Sequence, residues 1–213
     1  MIFDCLFEED TSNVYIVGDD GNNVIIVDPG NNRNNHLIRH LEKLNVNVKA
    51  IFLTHGHYDH IEAVKDIKDK YKDAKIYIHY LEEEFLNNPK LNLSFRHLTN
   101  HDVIEYDYET ISVTDNEIID IVNLKIKVIH TPFHTRGSVC YLLLDKQILF
   151  SGDTLFYRSI GRSDLPTGNS KQIPSSLLKL AKLDEKINVY PGHGRKTTIE
   201  QEIKYNQYLR FIY

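Results

Sequence analysis

Short apolar runs broken by Gly, Pro and Asn dominate the chain, and most have the length of strands. Asn13 to Val17 and Val24 to Asp28 read as two strands around the turn Gly18-Asp-Asp-Gly21. Asp28-Pro29-Gly30 closes the second, since Pro removes a donor and Gly permits positive φ. Leu37, Ile38, Leu41 and Leu44 then recur at helical spacing with polar residues between them. Lys49 to Thr54 is a short apolar strand, followed by a helical pattern from Ile61 to Tyr71, a strand at Lys75 to Ile78 and a short helix at Tyr80 to Leu86. From Asn87 to about Asp115 the periodicity breaks down, with Pro89, Asn92 and Asn100 in mixed polarity. That is a long excursion with little regular structure, of the kind that covers a site or stays disordered.

The second half repeats the strand-rich theme. Glu117 to Ile121, Leu124 to Ile129, Ser138 to Leu144 and Gln147 to Phe150 read as successive strands, the last two joined at Asp145-Lys146. A helix follows at about Gln172 to Leu183, then a strand at Ile187 to Tyr190 and a helix from about Ile199 to Tyr208. Strands first and helices after, twice over, predict two β-rich halves packed face to face with helices outside, a four-layered α/β (αββα) sandwich.

Composition narrows the function classes. The 213 residues are 41% hydrophobic and 26% charged, a globular balance with enough chain for a core without staples. No apolar run reaches the roughly 18 residues of a membrane helix, and the N-terminus has no basic start or long apolar stretch of a secretory signal. Two cysteines, Cys5 and Cys140, are too few for a disulfide scaffold and fit a reducing cytoplasm. A net charge of −5 argues against nucleic acid as the main partner and leaves a small-molecule substrate. The outlying feature is the 11 histidines.

Several of these lie in Thr54-His55-Gly56-His57-Tyr58-Asp59-His60, directly after an apolar strand. Three imidazoles and a carboxylate in six residues suit zinc or a similar borderline ion. His55 and His57 leave the strand on a turn that Gly56 lets bend, while Asp59 and His60 open the next helix and can point toward a second ion. Three further donors follow other predicted strands beside Gly or Pro: His134, Asp153 and His193. Binding residues gather in such strand-end loops. Together they make seven donors, enough for two ions with one shared carboxylate.

At these residues the chain resembles the metallo-β-lactamase superfamily of hydrolases, and within it the small glyoxalase II-like (hydroxyacylglutathione hydrolase-like) proteins. The marks run from Val27-Asp-Pro-Gly30 and the 54–60 run through Asn92-Leu-Ser94 and His130-Thr-Pro-x-His-Thr-x-Gly-Ser138. They continue with Ser151-Gly-Asp-Thr-Leu-Phe156, Ile160-Gly-Arg-Ser-Asp-Leu-Pro166, Pro191-Gly-His-Gly194 and Thr197-Thr-Ile-x-x-Glu202. The resemblance implies the metallo-β-lactamase fold and a dinuclear centre of two zinc ions, with iron or manganese as alternatives. His55, His57 and His134 would hold the first ion, Asp59, His60 and His193 the second, and Asp153 would bridge them. A hydroxide shared by the ions would attack a small acyl-thioester, oriented by Asp59 as a catalytic residue. Arg162 stands where such enzymes place a basic contact to the substrate carboxylate. An iron-dependent persulfide dioxygenase and a lactone hydrolase are the competing activities, because they share the fold and much of the motif set.

The departures from the family pattern carry expectations of their own. Phe133 replaces a usual Gly, and Arg136 a frequent Pro, so a bulky ring is expected to narrow the pocket or lean over the metals. Ile61-Glu62-Ala63 stands where paired glycines are usual. Larger glyoxalase II enzymes carry a C-terminal helical domain that grips glutathione; with 20 residues after His193, one domain over 1–213 without it is expected, the 87–115 excursion covering the site instead. The remaining candidates read as structural. His36 and His40 share a helix face without a third ligand, and His79, His97 and His101 have no partners at ligand spacing. His130 reads as a support for a neighbour, Cys140 as a core residue, Glu82-Glu-Glu84 as a solvated helix face, and the Asn31 to Asn35 cluster as a solvated loop. Oligomeric state has no signature in the chain.

Overall fold

The computed structural model describes residues 1–6, 11–97 and 103–210. Strand β1 (Ile2–Leu6), β2 (Val14–Asp20), β3 (Asn23–Val27), β4 (Asn47–Phe52), β5 (Lys75–His79) and β6 (Thr110–Val113) form one sheet in that spatial order. Its first two pairings are antiparallel and the remaining three parallel. Helix α1 (His36–Leu44) crosses from β3 to β4; α2 (Tyr58–Ile61) and α3 (Val64–Lys70) cross from β4 to β5, and α4 (Pro89–Asn92) follows β5. The second sheet contains β7 (Ile118–Ile121), β8 (Leu124–His130), β9 (Val139–Leu143) and β10 (Ile148–Gly152). After the small hairpin β11 (Leu155–Phe156) and β12 (Ser159–Ile160), α5 (Ile173–Ala181) leads to β13 (Asn188–Pro191), parallel to β10; β14 (Thr197–Thr198) and α6 (Ile199–Tyr205) end the fold.

Alternation along the strands explains the layers. Val14, Ile16, Val24, Ile26 and Ile51 pack with Leu37 and Leu41 of α1 and with Ile61, Val64 and Ile67 of α2 and α3. Their neighbours Tyr15, Val17, Ile25, Val27 and Phe52 meet Ile126, Val128, Tyr141 and Phe150 of the facing sheet. On the far side, Cys140, Leu142, Leu149 and Val189 pack with Leu177 and Leu180 of α5 and Ile199 of α6. Both faces of each sheet are buried, which is why these strands read as almost continuous apolar runs. The αββα sandwich expected from the pattern is the observed fold, and Cys140 is the core residue expected.

Two buried tyrosines join this core to the loops above it. Tyr141 O–H donates to the Leu53 carbonyl at 2.9 Å and Tyr15 O–H to the Pro191 carbonyl at 2.6 Å, each two residues before a histidine of interest. Asn13 Nδ2 donates to the Pro191 and Gly194 carbonyls, closing the second loop from the other side. The core thus fixes backbone position where the sheets end.

Several elements differ from the sequence reading. Strand β1 had no expected counterpart; β2 runs through a bulge to Asp20, so the turn shrinks to Gly21-Asn22. The expected 61–71 helix is two short helices broken at Glu62-Ala63, and the 80–86 helix is a 3-10 helix, Tyr80–Asn87. The 87–115 excursion contains α4, a 3-10 turn and β6. Asn92 anchors it, donating to the Phe85 and Ile104 carbonyls while Ser94 accepts from Ile104 N. Tyr106 O–H then donates to the Glu62 carbonyl, so residues 103–108 lie beside α3. His101 lies outside the described residues. No helix among the described residues is long and apolar enough to cross a membrane.

Candidate metal centre

The loops that leave β4, β8, β10 and β13 converge at one edge of the sandwich. His55 Nε2 lies 3.1 Å and His134 Nε2 2.9 Å from His57 Nδ1. Beside this trio, His193 Nε2 is 3.1 Å from Asp59 Oδ2, and His60 Nε2 is 3.8 Å from the same oxygen. Asp153 stands between the two groups: Oδ2 faces His134 Nε2 at 3.4 Å, and Oδ1 faces His60 Nε2 at 3.4 Å and His193 Nε2 at 3.7 Å. All seven sequence-nominated donors are therefore brought together.

The outward side of each ring fixes its tautomer. His134 Nδ1 lies 2.7 Å from the Arg162 carbonyl and His193 Nδ1 3.2 Å from the Thr11 carbonyl. His60 Nδ1 lies 3.0 Å from the Asp28 carboxylate. A carbonyl or carboxylate only accepts, so each of these Nδ1 atoms carries the proton and donates. Thr54 Oγ1 gives its own proton to Asp28, 2.7 Å away, and so accepts from His55 Nδ1 at 3.2 Å. In neutral rings, Nε2 of His55, His60, His134 and His193 then bears a lone pair pointing inward. This is the arrangement that orients imidazoles for a metal.

Inside the cluster, His60 Nε2 and Asp153 Oδ1 are buried without a hydrogen-bond partner, and His57 turns Nδ1 toward the Nε2 atoms of His55 and His134. Orphaned buried polar atoms cost about 1–3 kcal/mol each, and converging lone pairs repel. A divalent cation resolves both, so the residues fit a metal centre. Three interlocking triads of donor atoms lie within ion-binding reach: His55, His57, His134; His55, His60, Asp153; and Asp59, His60, His193.

The two sides differ electrostatically. Burial, reinforced by neighbouring histidines, holds His55 well below the usual imidazole range and His57 down at about 3, so both are neutral. At His60 burial acts in the same direction, but Asp28, Asp59 and Asp153 outweigh it and push the ring well above its ordinary value. Burial is likewise outweighed at His193, by Asp59 and Asp153. The second side is also the open one: side-chain exposure is 35% for His193 and 21% for Asp59, against 4% for His134.

Some nominated residues have other surroundings than expected. Phe133 is fully buried in the apolar layer under α5 and does not lean over the cluster. Arg136 donates from Nε to the Leu81 carbonyl and pairs with Glu84 at 2.7 Å. The Glu82-Glu-Glu84 run is not a solvated face: Glu82 is wholly buried and accepts from Gly56 N and Gly137 N. Arg162 contributes its carbonyl to His134, while its guanidinium is exposed and paired with Asp164. His40 pairs with Asp4 at 2.8 Å. Asp28, in the sequence only a member of Val27-Asp-Pro-Gly30, is brought by the fold to accept from Thr54 and His60.

His130 supports the site's border. Its Nε2 donates to the Arg136 carbonyl, and its ring stacks on His79 with centroids 4.2 Å apart. Burial and the facing His130 push His79 down to about 4. The folded state therefore keeps His79 neutral while the unfolded chain protonates near 6.5. This contribution to stability is full above the unfolded pKa and is lost as pH falls through the window from about 6.5 to 4. His79→Phe keeps the stack and removes the titration. Its unfolding free energy, measured in chelator, should fall by about 1 kcal/mol less than wild type between pH 7 and 5; parallel slopes would refute this.

An αββα sandwich with a His- and Asp-lined cluster capable of binding metal at its edge defines a metalloprotein class. The metallo-beta-lactamase superfamily model matches residues 8–193, and the chain belongs to that superfamily of metallo-hydrolase enzymes. Among curated relatives, hydroxyacylglutathione hydrolase GloC of Haemophilus influenzae is 34% identical over 200 residues, 92% of each chain. The solved BLEG-1 B3 metallo-beta-lactamase superposes with a TM-score of 0.89 at 36% identity, covering 98% of this chain and 99% of that one. TTHA1623, solved in a di-iron-bound form, gives 0.84 at 28% identity, covering 98% and 100%.

Proposed function

We propose that the protein is a dinuclear zinc hydrolase of small acyl-thioesters such as a hydroxyacyl-glutathione. The observation that carries the metal assignment is the preset tautomer of four imidazoles around the unsatisfied buried His60 Nε2 and Asp153 Oδ1. His55, His57 and His134 would hold one ion, Asp59, His60 and His193 the other, and Asp153 would be shared. The likeness to GloC supports the choice of thioester. When bound, the ions supply a Lewis acid for the carbonyl and lower the pKa of water toward neutrality.

The chain's own residues supply orientation. His60 and His193 hold Asp59 below the ordinary carboxylate range against the effect of burial, so it is ionised at neutral pH. Ionised, it accepts a hydrogen bond from the attacking water and fixes its direction. Asp59 and His193 are the most exposed of the donors, so substrate enters on their side. Free Cys5 and Cys140 support a reducing, cytoplasmic setting.

Zinc-loaded protein is expected to hydrolyse S-D-lactoylglutathione, with Asp59→Ala as the inactive control. Absence of turnover with two ions bound would reject the thioester. Iron is the second reading for the metal, favoured by the di-iron form of TTHA1623. Metal analysis of protein purified without added metal separates two zinc ions from iron, and iron would reopen the persulfide-oxidising alternative.

A further inference from the structure

The three-histidine side is assembled from two loops far apart in sequence, and a third segment touches both. In the 3-10 helix Tyr80–Asn87, residues three apart eclipse, so Glu82 and Phe85 share one face. Glu82 Oε2 accepts from Gly56 N at 3.0 Å, the amide between His55 and His57. Glu82 Oε1 accepts from Gly137 N at 2.8 Å, in the loop that carries His134. Phe85 occupies the space above Gly56, where a Cβ would come within 2.3 Å of its own Cβ. Arg136 latches the far side through the Leu81 carbonyl and Glu84. Glu82 is wholly buried, so its two backbone donors are what satisfies its carboxyl oxygens there.

We propose that Glu82 is a positioning residue for the three-histidine metal site, its single carboxyl group clamping the His55–His57 loop to the His134 loop. The proposal rests on the metal assignment above. Both amides point at one carboxyl group, so neither loop can shift without breaking a hydrogen bond to it. Removing the clamp should spread the three nitrogens and weaken that site, leaving the Asp59, His60 and His193 side intact. Glu82→Gln keeps the shape, but it replaces one acceptor with an amide that confronts a backbone N–H.

The test is zinc affinity by chelator competition at neutral pH in two backgrounds, with thermal unfolding of metal-free and zinc-loaded protein. With His193→Ala, which weakens the second site, Glu82→Gln is expected to lower affinity by about 10–100-fold. With His134→Ala, which breaks the first site, it should change affinity less than about twofold. Metal-free protein should lose less thermal stability than zinc-loaded protein. If Glu82→Gln does not fold, Gly137→Ala serves instead: its Cβ would lie 2.7 Å from Glu82 Cγ and push the carboxyl group off the loop. Equal effects in both backgrounds, or equal destabilisation with and without zinc, would make Glu82 a scaffold residue and overturn the proposal. Wild type that binds no zinc would overturn the metal assignment itself, so the two failures are distinguishable.

Discussion

Acidification of zinc-loaded protein from pH 7.5 to 5 should release the ion of Asp59, His60 and His193 before that of the three-histidine side, with hydrolysis vanishing as the first ion leaves. The expectation follows from competition between metal and protons, because only neutral imidazoles bind. His60 and His193 are the rings whose proton affinity is raised, as Asp28, Asp59 and Asp153 outweigh burial. His55 and His57 are held low by burial and by neighbouring histidines, so protons compete poorly at those two rings. The sign is therefore opposite on the two sides: falling pH favours the protonated, metal-free form at His60 and His193 well before it does at His55 and His57. Metal content after dialysis at stepped pH, measured beside turnover at neutral pH, checks the order. Release in one step, or from the three-histidine side first, would contradict it. Chelator-stripped protein should be inactive at neutral pH and recover on adding zinc; full activity without metal would end the hydrolase mechanism altogether.

The difference between the two sides was partly visible in the chain. His55, Gly56, His57, Asp59 and His60 lie in one continuous run, so their donor chemistry is local information. His134, Asp153 and His193 were reachable because each follows an apolar run and adjoins Gly or Pro, and strand ends are where a sandwich gathers its loops. All four of Val14, Tyr15, Ile16 and Val17 are buried, and the period of two sends Val14 and Ile16 into one layer and Tyr15 and Val17 into the other. What stayed hidden depends on partners distant in sequence. Glu82 is 26 residues from Gly56 and 55 from Gly137, and its run of three acids has the composition of a solvated face. Phe133 looked like a residue above the metals because its neighbour His134 faces them. The backbone turns between the two, and the ring enters the layer beneath α5. Strand β14, with two residues, is too short for any period to register.

Gly192→Ala should reduce kcat by about 10²-fold or more while leaving the fold in place. A Cβ at this position would lie 2.4 Å from Asp153 Oδ1 and 2.7 Å from His60 Cε1. Those atoms belong to the carboxylate between the two sides and to a ring fixed from behind by Asp28, and Gly152 blocks retreat at 3.1 Å. The added methyl must therefore displace a donor by a large fraction of an ångström, and a misplacement of about 1 Å at a reacting centre can cost 10²-fold. Overpacking of this kind costs about 1–3 kcal/mol of stability, which a folded domain withstands. Gly192 φ lies outside the left-handed region, so the substitution strains packing and not backbone. Three measurements on one variant separate the causes: melting temperature reports the fold, zinc stoichiometry the second site, and turnover the chemistry. Loss of turnover with a modest melting shift and fewer than two ions would locate the damage at Asp153 and His60. Wild-type turnover would show that Asp153 can move without cost, and its assignment as the shared ligand would fall.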